Sequence, residues 1–169
     1  MNPILTAWNA APPEAATAAL LNCCAATRWA NALISQRPFV NEDTLFATAD
    51  AVWSTMQEQD WMQAFQAHPR IGERKAETAT TQSKQWSSQE QSSVGHAQAE
   101  LLAELATGNR QYQERFGFTY IVCATGKSAE EMLQILRRRL NSDRETELLE
   151  AAEQQRQITQ IRLRKWLQP

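Results

Sequence analysis

His68 is the residue best placed to do chemistry in this chain, one of two histidines among 169 residues. It stands in Ala67-His68-Pro69-Arg70-Ile71-Gly72, at the point where a strongly patterned helix must stop. Asp60 reads as the N-cap, and Trp61, Ala64, Phe65 and His68 follow at i, i+3, i+4 and i+7, which puts the imidazole on the apolar face. Pro69 biases its predecessor away from helical dihedrals and Gly72 permits a sharp exit, so a backbone device holds the ring as well as its packing. Spacing alone leaves two readings open. A core histidine with a satisfied partner explains the pattern, and so does a general acid or base held inward.

Ser87-x-x-Glu90 is the second constellation. It has the form of a capping box, which recurs at Ser128-x-x-Glu131 and Ser142-x-x-Glu145. A helix beginning at Ser87 would present N–H groups of Ser88, Gln89 and their neighbours, suited to a carboxylate or carbonyl. Capping and ligand binding are compatible there.

The third is Phe118-Thr119-Tyr120-Ile121-Val122-Cys123-Ala124, an apolar, β-favouring run between Gly117 and Gly126 that is too short for a helix with its own caps. It is expected to be extended. Without a ladder its backbone groups need other partners. Either neighbours satisfy a buried connector, or the segment offers hydrogen bonds to a flat heterocycle.

Other reactive residues point to packing. His96 beside Gly95 has no H-E-x-x-H or cysteine–histidine cluster around it, so no protein-built metal site is expected. Cys23, Cys24 or Cys123 could pair with His68 as nucleophile and base, but nothing nearby in sequence lowers a thiol pKa.

The elements that must position these residues read as helices. Pro12-Pro13 opens a first helix bearing Leu20, Leu21 and Cys24, and Thr27 caps a second bearing Trp29 and Leu33. Asn41 or Asp43 opens a third, with Leu45, Phe46, Ala49, Val52, Trp53 and Met56 on one face. After the His68 helix and a polar loop, Val94, Ala97, Leu101 and Leu105 mark another, kinked at Gly108 and ended by Gly117. Met132, Leu136 and Leu140, then Leu148, Ala152, Ile158 and Ile161, mark the last two. The expected fold is all-α, a single-domain helical bundle over residues 1–169 with one short extended segment.

Composition narrows the function. With 43% hydrophobic residues the chain can bury a real core, and a net charge of −2 gives no broad field for nucleic acid or an anionic membrane. No run approaches the roughly 20 apolar residues of a membrane span. Three cysteines without C-x-x-C fit a reducing cytoplasm. The absence of a basic residue before Arg28 argues against a signal peptide, and Leu167-Gln168-Pro169 is not a peroxisomal tripeptide. The expected partner is a small molecule, and a homodimer is compatible with the sequence but not specified by it.

A-H-P-R-I-G-E from Ala67, Ser87-x-x-Glu90-Gln91, Tyr112-x-x-Arg115-Phe116-Gly117-Phe118, and Tyr120-Ile121-Val122-Cys123-Ala124-x-Gly126-Lys127-Ser128 together resemble the OHCU decarboxylase family. Cys23-Cys24-x-x-x-Arg28-Trp29, Arg37-Pro38-Phe39 and Ala49-Asp50-x-x-Trp53 extend the likeness over almost the whole chain. The resemblance implies decarboxylation of 2-oxo-4-hydroxy-4-carboxy-5-ureidoimidazoline (OHCU) to (S)-allantoin, the last step from urate. It also implies that Ser87, Glu90 and Gln91 line the pocket, that Tyr120 to Ala124 contact substrate, and that Pro69 packs beside it. The same reading makes His68 and Glu90 catalytic, with Ser88 and Gln89 as further contacts.

Such a reaction needs no cofactor. Loss of carbon dioxide leaves an electron pair on carbon, and a ring C=N beside that carbon is a sufficient sink without metal, Schiff base or flavin. Orientation and proton delivery remain for the protein. Two other readings stay open at this point: a non-catalytic helical interaction module, and a cysteine hydrolase acting on a related ureide.

Overall fold

The computed structural model describes residues 2–73 and 79–168, and the described residues form helices without a strand. Two compact units are present, residues 1–64 with 156–169, and residues 65–155. The expected all-α class is observed.

In the first unit, α1 (Pro3–Ala10) is a helix the sequence reading missed. Asn2 caps it by accepting from the N–H groups of Ile4 at 2.8 Å and Leu5 at 3.2 Å, and Pro3 takes the first helical position, where a missing N–H costs nothing. The expected first helix is therefore α2 (Pro13–Cys23). α3 (Thr27–Ile34) has Ala26 at its N-cap, so Thr27 lies inside the helix instead of capping it. Of the two candidates for α4 (Glu42–Ser54), Asn41 is the cap, its side-chain oxygen accepting from Thr44 N–H at 2.8 Å. The stripe from Leu45 to Trp53 is buried as the spacing predicts, and so is Met56 beyond the helix end.

α5 begins at Glu58 and ends at Gln66, which moves Asp60 from the cap into the first turn. Its carboxylate accepts from the N–H of Gln57 at 3.0 Å and from Arg28 Nη1 at 3.2 Å. That is the reciprocal half of a capping box, contributed by the third helical residue. An acidic residue at a helix start does not distinguish these two positions by type.

In the second unit, α6 (Thr81–Glu90) is followed by a 3-10 turn (Ser92–His96) and α7 (Ala99–Phe116). The single helix expected from Val94 to Leu105 is thus two elements, with Val94 in the tight turn. The expected polar loop before it contains residues 74–78, outside the described residues, and the beginning of α6. α7 continues without a break through Gly108. A Cβ there would lie 2.6 Å from Leu136 Cδ2, so the glycine permits close approach of α8 (Ala129–Arg139). Gly117 ends α7 as expected, at φ +83°.

Ser128 and Glu131 form the capping box the sequence shows: Ser128 N–H donates to the glutamate at 2.7 Å, and Glu131 N–H donates to the serine hydroxyl at 3.1 Å. The box expected at Ser142 is displaced by one residue. Asp143 caps α9 (Arg144–Trp166), accepting from the N–H and hydroxyl of Thr146 at 2.8 and 2.9 Å. Phe65, Tyr112, Phe116, Phe118 and Tyr120 are buried, and Tyr112 meets Phe116, Phe118 and Tyr120 with ring centroids 4.6, 5.7 and 5.3 Å apart. This aromatic core joins α7 to the segment that follows it.

Candidate active site

The Ala67–Gly72 turn is pinned along its length. α5 ends before His68, whose N–H donates to Phe65 O at 3.1 Å, and Gly72 turns the chain at φ +89°. Asn109 Nδ2 holds the carbonyl of Ile71 at 2.9 Å, and Arg70 donates twice to Gln113 Oε1, at 2.7 and 3.2 Å. Gln91 Oε1 accepts from the N–H of Gly72 at 3.1 Å. The His68 ring is half-buried, with Nε2 2.7 Å from Oε1 of Gln155, itself fully buried. His68 therefore has a satisfied partner, which leaves a catalytic role open as well.

Ser87 and Glu90 lie in the last turn of α6, the opposite end from the one the sequence suggested. Thr80 is the N-cap, its hydroxyl accepting from Ser83 N–H at 3.1 Å, and Gln91 is the C-cap, its N–H donating to Ser87 O at 3.1 Å. The expected capping box and its cluster of N–H donors at Ser88 and Gln89 are thus corrected. A serine–glutamate spacing carries no direction unless an apolar stripe fixes which way the helix runs, and α6 is too polar to supply one. The chemical consequence is a change of sign: a helix C-terminus offers carbonyl oxygens and the negative end of the dipole.

A cleft of about 690 Å³ gathers part of the expected site. Pro69 and Gly72 from the turn meet Ser87 and Ser88 from α6, Gln91 beyond it, and Val94 and Leu102. Ser87 is buried and Ser88 exposed. Lys84 and Glu73 bring charge of both signs to the wall. Gln89 and Glu90 share the α6 end but not the lining, and His68 and Tyr120 to Ala124 are likewise outside the lining of this cleft.

Tyr120 to Ala124 are all buried and belong to no helix. Much of their hydrogen bonding is internal. Arg139 Nη1 donates to Ile121 O at 2.6 Å, Cys123 N–H donates to Gln154 Oε1 at 2.8 Å, and Lys127 Nζ donates to Cys123 O at 2.7 Å. The connector reading accounts for those groups. Tyr120 and Val122 differ: among the described residues no hydrogen bond engages their backbone groups.

Arg139 anchors this segment from below. Its Nε donates to Glu147 at 2.8 Å, its Nη2 to the Tyr112 hydroxyl at 3.2 Å, and Tyr112 donates to Glu147 at 2.5 Å. The Tyr120 hydroxyl donates to Met132 O at 3.0 Å. Burial pushes the Tyr112 and Tyr120 hydroxyls above their ordinary range although Arg139 acts against it, so both remain donors. Burial also pushes the Cys23 thiol up and the Cys24 thiol to about 11. All three cysteines are buried, with no disulfide between them. Cys23 and Cys24 thus lack the activated thiolate a cysteine hydrolase requires.

Gln154, Gln155, Arg139, Asn109 and Gln113 were not singled out from the sequence. A signal existed for two of them. Gln155 falls three residues after Ala152 on the buried side of α9, and Arg139 three after Leu136 on that of α8. Polar residues at apolar-stripe positions need buried partners.

Residues 9–164 match the family model described as OHCU decarboxylase. The chain is 32% identical over 144 residues to the uric acid degradation bifunctional protein TTL of Arabidopsis thaliana, covering 85% of this chain and 44% of that protein. It therefore spans less than half the length of that relative. It is 28% identical over 129 residues to the 2-oxo-4-hydroxy-4-carboxy-5-ureidoimidazoline decarboxylase of Haloferax volcanii, covering 76% of this chain and 74% of that one. A crystal structure of OHCU decarboxylase in the presence of (S)-allantoin superimposes with a TM-score of 0.75 at 30% identity, covering 92% of this chain and 97% of that one.

Proposed function

We propose, on the premise that the chain belongs to the OHCU decarboxylase family, that it catalyses cofactor-independent decarboxylation of OHCU to (S)-allantoin in urate degradation. The reading takes residues 1–169 as one decarboxylase domain, which the family match over 9–164 supports because it includes both compact units. Its setting is the cytoplasm, acting on a free small molecule without nucleic acid or membrane, and a homodimer is compatible with it. Buried cysteines without a disulfide between them fit that setting. Among the described residues no helix is long and apolar enough to cross a membrane.

The observation that carries the reading is the convergence of the turn that follows His68, through Pro69 and Gly72, on the C-terminal end of α6. As carbon dioxide leaves, the bond pair forms a C=C bond to the neighbouring ureido-bearing carbon and the ring C=N pair moves onto nitrogen, which takes up a proton. A proton must then add to the ureido-bearing carbon on one face while the enol hydroxyl loses its own to become the ring carbonyl. His68 supplies the proton to that carbon and so sets the (S) configuration. Glu90 accepts from ureido or ring N–H groups. The carbonyl-rich end of α6 suits the same donors better than a helix start would, because a ureide presents more N–H groups than acceptors.

Ser87, Ser88, Gln89 and Gln91 complete the polar contacts around the ring, and Pro69 packs against it. The backbone of Tyr120 to Ala124 supplies further contacts, with Tyr120 and Val122 the strongest candidates because no hydrogen bond engages their N–H and C=O among the described residues.

The test is to generate OHCU freshly from urate with the two upstream activities, add the protein, and follow optical activity. Formation of (S)-allantoin faster than the spontaneous reaction is expected. A rate and chirality equal to the protein-free control would refute the proposal.

A further inference from the structure

His68 and the segment at Cys123 lie far apart in sequence, yet adjacent residues of α9 hold both. Gln155 Oε1 is 2.7 Å from His68 Nε2, and Gln154 Oε1 accepts from Cys123 N–H at 2.8 Å. Gln154 is itself oriented, since its Nε2 donates to Glu150 Oε1 at 3.0 Å. The Gln155 contact has a chemical direction. An amide oxygen only accepts, so a bond from it to Nε2 requires the proton to be on Nε2. Because Gln155 is fully buried, few rotamers are open to it and water does not compete for the bond.

We propose that Gln155 is a positioning residue for His68: it fixes the neutral imidazole as the Nε2–H tautomer, so that any proton His68 gives or takes in the reaction moves at Nδ1. The proposal rests on the decarboxylase reading for its consequence in catalysis, but the tautomer itself does not depend on that reading. A neutral amide suits the task. It orients the ring as the carboxylate of a catalytic triad does, yet adds no charge that would hold the imidazolium against giving up its proton. Sharing one helical turn with Gln154 ties the ring's orientation to that of the Cys123 backbone.

The test uses the whole chain labelled with ¹⁵N-histidine. Only two histidines contribute signals, and His68→Asn identifies which belong to His68. Above the imidazole titration, the unaltered protein should show a protonated Nε2 and an unprotonated Nδ1 at His68. The opposite tautomer, or a rapidly averaged mixture, would overturn the proposal whether or not the protein decarboxylates OHCU. Gln155→Leu should then give the averaged mixture, with kcat lower on the order of 10²-fold and KM little changed, the size expected when a catalytic group loses its alignment. A folded Gln155→Leu protein with unaltered tautomer and kcat would also overturn it. If OHCU is not turned over at all while the Nε2–H signature is present, the decarboxylase reading fails and the assignment of the tautomer stands.

Discussion

Arg139 Nη1 donates to the carbonyl of Ile121 at 2.6 Å, and this bond joins the C-terminal turn of α8 to the segment proposed to face the substrate. The same guanidinium pairs with Glu147 at 2.8 Å, with side-chain exposures of 4% and 1%. It also lies over the rings of Tyr120 and Tyr112, 5.0 and 5.7 Å from their centroids. A cation this deeply buried is held by hydrogen bonds to a carboxylate, a carbonyl and a hydroxyl.

Arg139→Met should therefore leave Glu147 buried without its charge partner and release Ile121. The expected loss is about 3–5 kcal/mol, read by denaturant unfolding. Adding Glu147→Leu should recover part of it, since the uncompensated charge is then gone. If the single variant unfolds at the same denaturant concentration as the parent, the network does not hold the segment.

His68→Asn should fold normally and lose stereospecific acceleration. The amide can keep a hydrogen bond to Gln155 but cannot deliver a proton at neutral pH. General acid catalysis contributes about 10²–10⁴ in rate. Turnover equal to the parent would make His68 structural.

Glu90 and Glu131 separate catalysis from capping. α6 is capped by Thr80, so Glu90→Gln removes no helix cap, and its effect should fall on turnover. Glu131→Gln should do the reverse, leaving turnover intact and weakening the start of α8. Loss of decarboxylation in both variants, or in neither, would contradict the assignment.

The Glu131 contribution should also depend on pH in a definite direction. Donation from the Ser128 backbone N–H, then from its side chain, holds this carboxyl below its ordinary value of 4.5. A carboxyl with a depressed folded-state pKa adds stability that is fully present above the unfolded value and disappears as pH falls through the folded one. The stability difference between the parent and Glu131→Gln should thus be constant near neutrality and shrink below about pH 4.5. A difference that grows on acidification would refute the sign.

Gly108→Ala tests a packing role. A Cβ at 2.6 Å from Leu136 Cδ2 and 3.2 Å from its Cγ must displace a fully buried leucine. Overpacking costs about 1–3 kcal/mol, against roughly 1 kcal/mol gained from better helix propensity. A net loss is expected, lowering Tm by roughly 2–4 °C for each 1 kcal/mol. Leu136→Ala in the same background should relieve the clash; a raised Tm in Gly108→Ala alone would show that α8 shifts freely.

What the amino-acid sequence by itself determined was local in origin. The helical class follows from apolar spacing, the Asn41 and Ser128 caps from side chains that reach only three residues, and the Gly117 stop from a backbone conformation that glycine adopts without strain. His68, Pro69, Ser87, Glu90 and the Tyr120–Ala124 segment could be named because motifs are contiguous. Polarity of the α6 end was beyond that reach: Ser87 and Glu90 have the same spacing at either end of a helix, and the weakly apolar α6 offers no stripe to orient it. The partner of His68 was beyond it too. Gln155 lies 87 residues away along the chain, and a hydrogen bond between residues so distant exists only once packing has closed the intervening chain. The same holds for Arg139 and Ile121: the sequence shows a cation on an apolar stripe, and only the tertiary structure decides which carbonyl and which carboxylate compensate it.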